Sequence, residues 1–153
     1  STYDLLQPQE AFTKIEKDAE EADLVIASSL GGFYASCLNV KSKVLLLNPC
    51  LLPQKVIKDI LASMNLSFEN EELCVREWNE LQKLWNEKSF DNYAGIFADN
   101  DELFHFKNVF DENMKSAYGE NSAMISGTHQ IAKDDKQLKD ALEAAEKIFS
   151  KLK

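Results

Sequence analysis

Two hydrophobic patterns alternate along this chain. Short unbroken apolar runs are typical of parallel strands buried on both faces, and apolar residues every three or four positions are typical of amphipathic helices. Strands are predicted at 24–28, 43–48, 93–98 and 122–126. Helices are predicted at 8–22, 31–39, 53–64, 71–87, 102–118 and 135–152. The alternation predicts one α/β domain over residues 1–153, with three layers, a mostly parallel sheet of about four strands and helices on both faces.

The connection between the second and third strands, residues 50–92, is the longest in the chain. It holds two of the predicted helices, and the second carries Trp78 and Trp85 on its apolar face. An excursion at the carboxyl end of a strand is where α/β enzymes insert a cap over a pocket. The same aromatic residues are expected if the helices only pack against the body. Both interpretations stay open, and they are compatible.

The first strand runs directly into a small-residue turn, Ser28-Ser29-Leu30-Gly31-Gly32, and a helix follows at once. This order is typical of a nucleophile elbow, G-x-S-x-G, in which small flanking residues let strand and helix come close. Ala27 and Gly31 hold the flanking positions around Ser29, with alanine in place of the first glycine. Two other interpretations remain. The segment is only a turn that connects the strand to the helix, or its backbone N–H groups at 28–32 form an anion cradle in a flavodoxin-like ligand-binding domain.

A serine nucleophile needs a base and an acid, and both candidates follow predicted strands. Asp101 comes after the strand at 93–98, and His129 comes after the strand at 122–126. The order serine, acid, histidine is that of α/β-hydrolases, and the carboxyl ends of parallel strands share one edge. We therefore predict that His129 takes the proton of Ser29, that Asp101 orients the imidazole, and that the Leu30 backbone N–H donates to the oxyanion.

Two further polar residues are weaker candidates. His105, the second of two histidines, lies in the predicted helix 102–118 beside Phe106 and Phe110, so a packing role is preferred. Asp99 is the second candidate for the acid, although a turn-forming or capping role explains it equally well.

Four segments together carry a family resemblance: LVIASSLGGFYA at 24–35, VLLLNP at 44–49, FADNDE at 97–102 and GTH at 127–129. They resemble the YqiA-type small esterases of the α/β-hydrolase superfamily. The resemblance implies a nucleophile, acid and base at Ser29, Asp101 and His129. It also implies hydrolysis of a small carboxylic ester or thioester, with no metal and no organic cofactor. A catalytically inactive relative that serves as an interaction domain is the alternative.

One part of that resemblance is missing. Such enzymes begin with a strand that ends in His-Gly, whose loop supplies a second oxyanion donor, and nothing before residue 24 matches it. Either a strand-loop-helix-strand unit belongs upstream of Ser1, or the protein has lost half of its oxyanion hole. We expect residues 1–153 alone to be less active than a chain extended upstream. The strand at 24–28 then becomes an open apolar edge, through which self-association is expected.

Composition narrows the possible partners of the protein and its possible cellular compartment. The net charge of −9 argues against a nucleic-acid partner, which needs a basic face. No apolar run approaches the ~20 residues that span a membrane. Cys37, Cys50 and Cys74 are odd in number, lie far apart and have apolar neighbours, which predicts buried thiols in a reducing, cytoplasmic compartment. Cys50 follows a strand end, so a place in the pocket wall is a second interpretation.

Overall fold

Within residues 3–152, four parallel strands form the centre of the protein. The computed structural model describes residues 3–152. The strands are β1 (Leu24–Ser28), β2 (Lys43–Leu47), β3 (Tyr93–Asn100) and β4 (Ser122–Thr128). They pair in the order β1-β2-β3-β4, and every pairing is parallel. The predicted α/β class with a parallel sheet is confirmed.

In the described part of the chain, six helices surround this sheet. They are α1 (Pro8–Ala19), α2 (Ser29–Ser36), α3 (Pro53–Ser63), α4 (Glu71–Gln82), α5 (Lys107–Asn113) and α6 (Asp135–Lys151). Short 3₁₀ segments lie at Lys83–Glu87 and Ile131–Lys133. Proline opens α1 and α3, where its missing N–H costs nothing. Asp134 caps α6 by accepting a 2.9 Å hydrogen bond from the Gln137 N–H. None of the helices within the described residues is both long and apolar enough to cross a membrane.

The two faces of the sheet are covered unequally. Strands added in one direction through right-handed crossovers place all their connecting helices on one face. On that face Val44, Leu46 and Tyr93 pack into a large core with residues of α1 to α5. The alternate residues Leu45 and Ile96 face the other way, where α6 covers them. The continuous apolar runs of β2 and β3 are explained because both of their faces are buried.

The edge strand β1 is open. Among the described residues β1 pairs only with β2, and α6 packs mainly over β3 and β4. Leu24 and Ile26 are therefore 45% and 48% exposed. On the opposite face, a groove of about 420 Å³ runs between β1 and α1 and is lined by Ile15, Val25 and Gly31 among others. The predicted self-association through this edge stays a prediction.

The long connection between β2 and β3 is tied to α2. Trp78 and Trp85 are buried. The Trp78 indole N–H donates to the Tyr34 hydroxyl at 3.0 Å, and the Trp85 N–H donates to Ser36 Oγ at 2.8 Å. Both acceptors lie on α2, whose first residue is Ser29. These aromatic residues therefore hold the helix that carries the candidate nucleophile, and a cap role for residues 50–92 stays a prediction.

One predicted helix is wrong in its extent. The pattern at 102–118 predicts a long helix, but α5 covers only Lys107–Asn113. The Asp101 carboxylate accepts from the Leu103 and Phe104 N–H groups and turns the chain there, as short acidic side chains do in competition with helix formation. His105 consequently lies in an exposed loop and not on a helix.

Candidate functional site

The three predicted site residues each come directly after a strand. Ser29 follows β1, Asp101 follows β3 and His129 follows β4. Because the strands are parallel, all three lie at the end of the sheet where the carboxyl ends of the strands meet. Ser29 Oγ lies 2.5 Å from His129 Nε2, and His129 Nδ1 lies 3.1 Å from both carboxylate oxygens of Asp101. The structure brings the three side chains into one hydrogen-bonded line.

Ser29 occupies a strained turn. Its φ of 51° lies in the left-handed region, which residues other than glycine seldom adopt. The turn makes α2 begin at Ser29 itself, two residues before the predicted start at 31. The side chain is half-buried, so its hydroxyl is held at the sheet edge and stays accessible. This is the geometry that the elbow pattern predicts.

The close contact in this turn belongs to Gly32, and the assignment of that role to Gly31 is wrong. A Cβ built on Gly32 would lie 2.6 Å from the Cβ of Pro49. A Cβ built on Gly31 would meet nothing within 4 Å among the described residues, because Gly31 faces the open groove beside β1. The glycine that permits the approach is thus the one packed against the segment after β2.

We expect the two glycines to respond oppositely to alanine. Gly32→Ala should lower the free energy of unfolding by about 1–3 kcal/mol, because the new methyl group overpacks against Pro49. Gly31→Ala should be neutral or stabilising by up to about 1 kcal/mol, because alanine favours the helix. Urea unfolding of both variants checks this. Equal losses at the two positions would contradict the packing shown by the structure.

Asp101 is built to remain ionised. It is only 2% exposed, and its Oδ1 accepts hydrogen bonds from the N–H groups of Leu103 at 2.8 Å and Phe104 at 3.1 Å. Burial by itself would raise the pKa of this carboxyl. The hydrogen bonds from His129 and from the two backbone N–H groups outweigh burial and hold the pKa below its usual value. The carboxylate therefore faces the imidazole as an anion near neutral pH.

His129 is packed from several sides. Its side chain is 11% exposed, and the Phe104 ring meets it edge-on with ring centroids 5.1 Å apart. The preceding residue, Thr128, donates its N–H to Gln137 Oε1 at 2.8 Å, which ties the histidine loop to α6. With a carboxylate at Nδ1, the neutral ring carries its proton on Nδ1 and leaves Nε2 free to accept from Ser29.

The predicted oxyanion donor lies in the first turn of α2. Leu30 is the second residue of that helix, and the first N–H groups of an α-helix have no acceptor within the helix. The positive end of the helix dipole lies at the same place. The Leu30 N–H is therefore suited to an anionic oxygen beside Ser29.

The weaker candidates lie outside the hydrogen-bonded line of Ser29, His129 and Asp101. Asp99 is exposed and accepts from the Gly127 N–H at 3.1 Å, which joins the ends of β3 and β4. His105 borders a separate pocket of about 220 Å³ with Phe106 and Met124. The three cysteines are buried and free, and burial raises the pKa of the Cys50 thiol. Cys50 reaches the site through its backbone, since its N–H donates to the Ser29 carbonyl at 2.8 Å.

Two residues at the site were missed by the sequence reasoning. Asn48 bonds to both Ala98 and Thr128, and Gln137 bonds to Thr128. A signal existed for Asn48, because a polar residue followed by proline ends an apolar strand. No signal existed for Gln137, whose role depends on how α6 docks.

Comparison with known proteins finds a family model that covers most of the chain. The model of the uncharacterised protein family UPF0227 matches residues 4–144. No curated protein matches the chain.

Proposed function

The chain belongs to the uncharacterised protein family UPF0227, and we propose from the geometry of its site that it is a serine hydrolase. It cleaves a small carboxylic ester or thioester through an acyl-enzyme. The observation that carries the proposal is the hydrogen-bonded line from Ser29 Oγ through His129 to Asp101. An anion cradle made of backbone N–H groups at 28–32 requires neither the imidazole nor the carboxylate.

The first half of the reaction forms the acyl-enzyme. His129 Nε2 takes the proton from Ser29 Oγ as this oxygen bonds to the acyl carbon. The carbonyl oxygen becomes an oxyanion, and His129 then gives the proton to the departing alcohol or thiol. In the second half, water attacks the acyl carbon, its proton passes to His129 and then to Ser29, and the acid is released. No other reactant is required.

The surrounding groups lower the barrier. Asp101 stabilises the imidazolium that exists while His129 holds the proton, and it keeps the ring in the productive tautomer. The Leu30 N–H at the positive end of α2 stabilises the oxyanion. Loss of one such donor typically costs about a hundred- to a thousand-fold in turnover.

A fluorophosphonate probe tests this proposal directly. We expect it to attach to Ser29, located by mass spectrometry of the peptide, and to fail to attach in Ser29→Ala and His129→Ala. Ser28→Ala is the matched control, because Ser28 is an exposed hydroxyl one residue away that has no place in the mechanism. His105→Gln controls for loss of a histidine elsewhere.

Three results would count against a hydrolase. Labelling that survives His129→Ala would show that another base, or none, activates the serine. No labelling of the folded parent protein would favour an inactive interaction domain. Stoichiometric binding of phosphate or a nucleotide that is lost on changing residues 28–32 would favour the anion cradle.

A further inference from the structure

The site spans the full width of the sheet. Ser29 and His129 each follow an outermost strand, β1 and β4, and two strands lie between them. Neighbouring strands are about 4.8 Å apart, so three spacings amount to roughly 14 Å. The two side chains nevertheless meet at 2.5 Å. The segment that carries His129 must therefore lean across the ends of β3 and β2, and something must hold it there.

The pairing of β3 with β4 explains part of how the His129 segment extends across the sheet. Ala98 lies opposite Ile125, whereas Asn100 lies opposite Thr128, so β4 carries one extra residue in this interval. A bulge of this kind bends its strand and redirects the residues after it. It brings the end of β4 over the sheet, but it does not fix where the His129 ring stops.

Asn48 lies at the middle of the span, directly after β2. It is 3% exposed, and its side chain bridges the other two strand ends. Its Nδ2 donates to the Thr128 carbonyl at 3.0 Å, and its Oδ1 accepts from the Ala98 N–H at 2.8 Å. Thr128 is the residue before His129, and Ala98 lies three residues before Asp101. One amide therefore joins the segments that carry the base and the acid.

The backbone around Asn48 extends this bridge to the nucleophile. The Asn48 N–H donates to the Ile96 carbonyl at 3.0 Å, which anchors it to β3. Two residues later, the Cys50 N–H donates to the Ser29 carbonyl, and Pro49 lies against Gly32. The segment 48–50 thus contacts Ser29 itself, Ala98 shortly before Asp101, and Thr128 next to His129.

We propose that Asn48 is a positioning residue: its amide holds the His129 segment across the sheet so that the imidazole reaches Ser29. This inference rests on the proposed hydrolase function. Asparagine suits the position for two reasons. Its amide offers a donor and an acceptor at once. It also tolerates the left-handed φ of 44° found here better than most residues.

Two substitutions separate the side chain from the backbone. Asn48→Gly keeps the positive φ accessible and removes both hydrogen bonds. Asn48→Asp keeps the acceptor for Ala98 and loses the donor to Thr128. Because a misplacement near 1 Å can cost about a hundred-fold, we expect kcat per folded molecule to fall by about 10- to 100-fold in both variants. KM should stay within about twofold, because the Asn48 side chain is buried and its amide is already bonded to Ala98 and Thr128.

A matched control exists elsewhere in the chain. Asn65 also has a left-handed φ, of 58°, but it is exposed in the turn after α3, where its N–H donates to the Ala62 carbonyl. Asn65→Gly should leave kcat unchanged. Urea unfolding measures the folded fraction, so a loss of stability alone does not pass for a loss of rate.

A second readout does not depend on catalysis. The ring ¹⁵N shifts of His129 report its tautomer, and with only two histidines a His105→Gln variant assigns the signals. We expect the Nδ1–H form in the parent protein and a mixture in both Asn48 variants. A kcat within about threefold of the parent in either variant would overturn the proposal. If the parent shows no turnover, the hydrolase function fails, and unchanged tautomers in the variants would overturn the positioning role separately.

Discussion

Ester turnover is expected to fall by about 10⁴-fold or more when Ser29 is replaced by alanine, and by a similar factor in His129→Ala. The reason is that the two side chains act as one unit across their 2.5 Å contact. Without the serine there is no oxygen to acylate. Without the imidazole the serine proton has no acceptor. The measurement is kcat/KM on a small activated ester and on its thioester analogue.

The double variant makes this result sharper. Ser29→Ala combined with His129→Ala should be no slower than either single variant, because groups that act as a unit are strongly non-additive. If the two side chains contributed independently, the fold-losses of the two single variants would multiply in the double variant. Turnover that remains near the parent level in Ser29→Ala would place the nucleophile elsewhere. The stability of each variant is measured in parallel, so that unfolding is not mistaken for lost chemistry.

Much of this site could be predicted from the sequence because its chemistry follows strand ends. In each of three strands the predicted apolar run stops and the candidate residue follows within three positions, so the order along the chain also places the candidates at the carboxyl end of the sheet. Parallel pairing then brings the candidate residues close together, since the carboxyl ends of all strands lie at the same end of the sheet. Local pattern was sufficient for Ser29, Asp101 and His129 because no long-range detail was needed to place them on that edge.

The errors have a common cause in tertiary contacts. The helical periodicity at 102–118 gave no sign that the Asp101 carboxylate would accept two backbone N–H groups and delay the helix to Lys107. The elbow pattern pointed to Gly31, whereas the contact with Pro49 falls on Gly32. In both cases a side chain outside the local pattern decided the outcome, and periodicity does not report such contacts.

The proposed role of Asn48 could not be derived in the same way. Its bonds join Ala98 and Thr128, 50 and 80 positions further along the chain. The sequence places Asn48 after a strand, but not between the acid and base segments. The strand order, with β2 between the strand before Ser29 and the other two strands, is what supports the proposal of a bridging amide at that point.

Asp101→Asn is expected to lower kcat by about 10³- to 10⁴-fold at neutral pH. The asparagine oxygen can still accept from Leu103 and Phe104, so the turn is expected to form. Its NH₂ group then faces His129 Nδ1 and donates to it, which moves the ring proton to Nε2. An imidazole in that tautomer cannot accept the proton of Ser29. The remaining turnover relies on hydroxide and should keep rising with pH.

Stability gives the same variant a second, independent signature. The pKa of Asp101 is lowered in the folded protein, so the unfolded chain binds its proton first as the pH falls. The carboxylate therefore stabilises the fold above its unfolded pKa of about 4, and this contribution is lost as the pH drops through the folded pKa. Asp101→Asn should flatten the decline of the unfolding free energy below about pH 5.

Asp99→Asn is the matched control, an exposed carboxyl two residues away, and should change kcat by no more than about threefold. A large loss in Asp99→Asn together with a small one in Asp101→Asn would exchange the two roles and overturn the assignment of the acid.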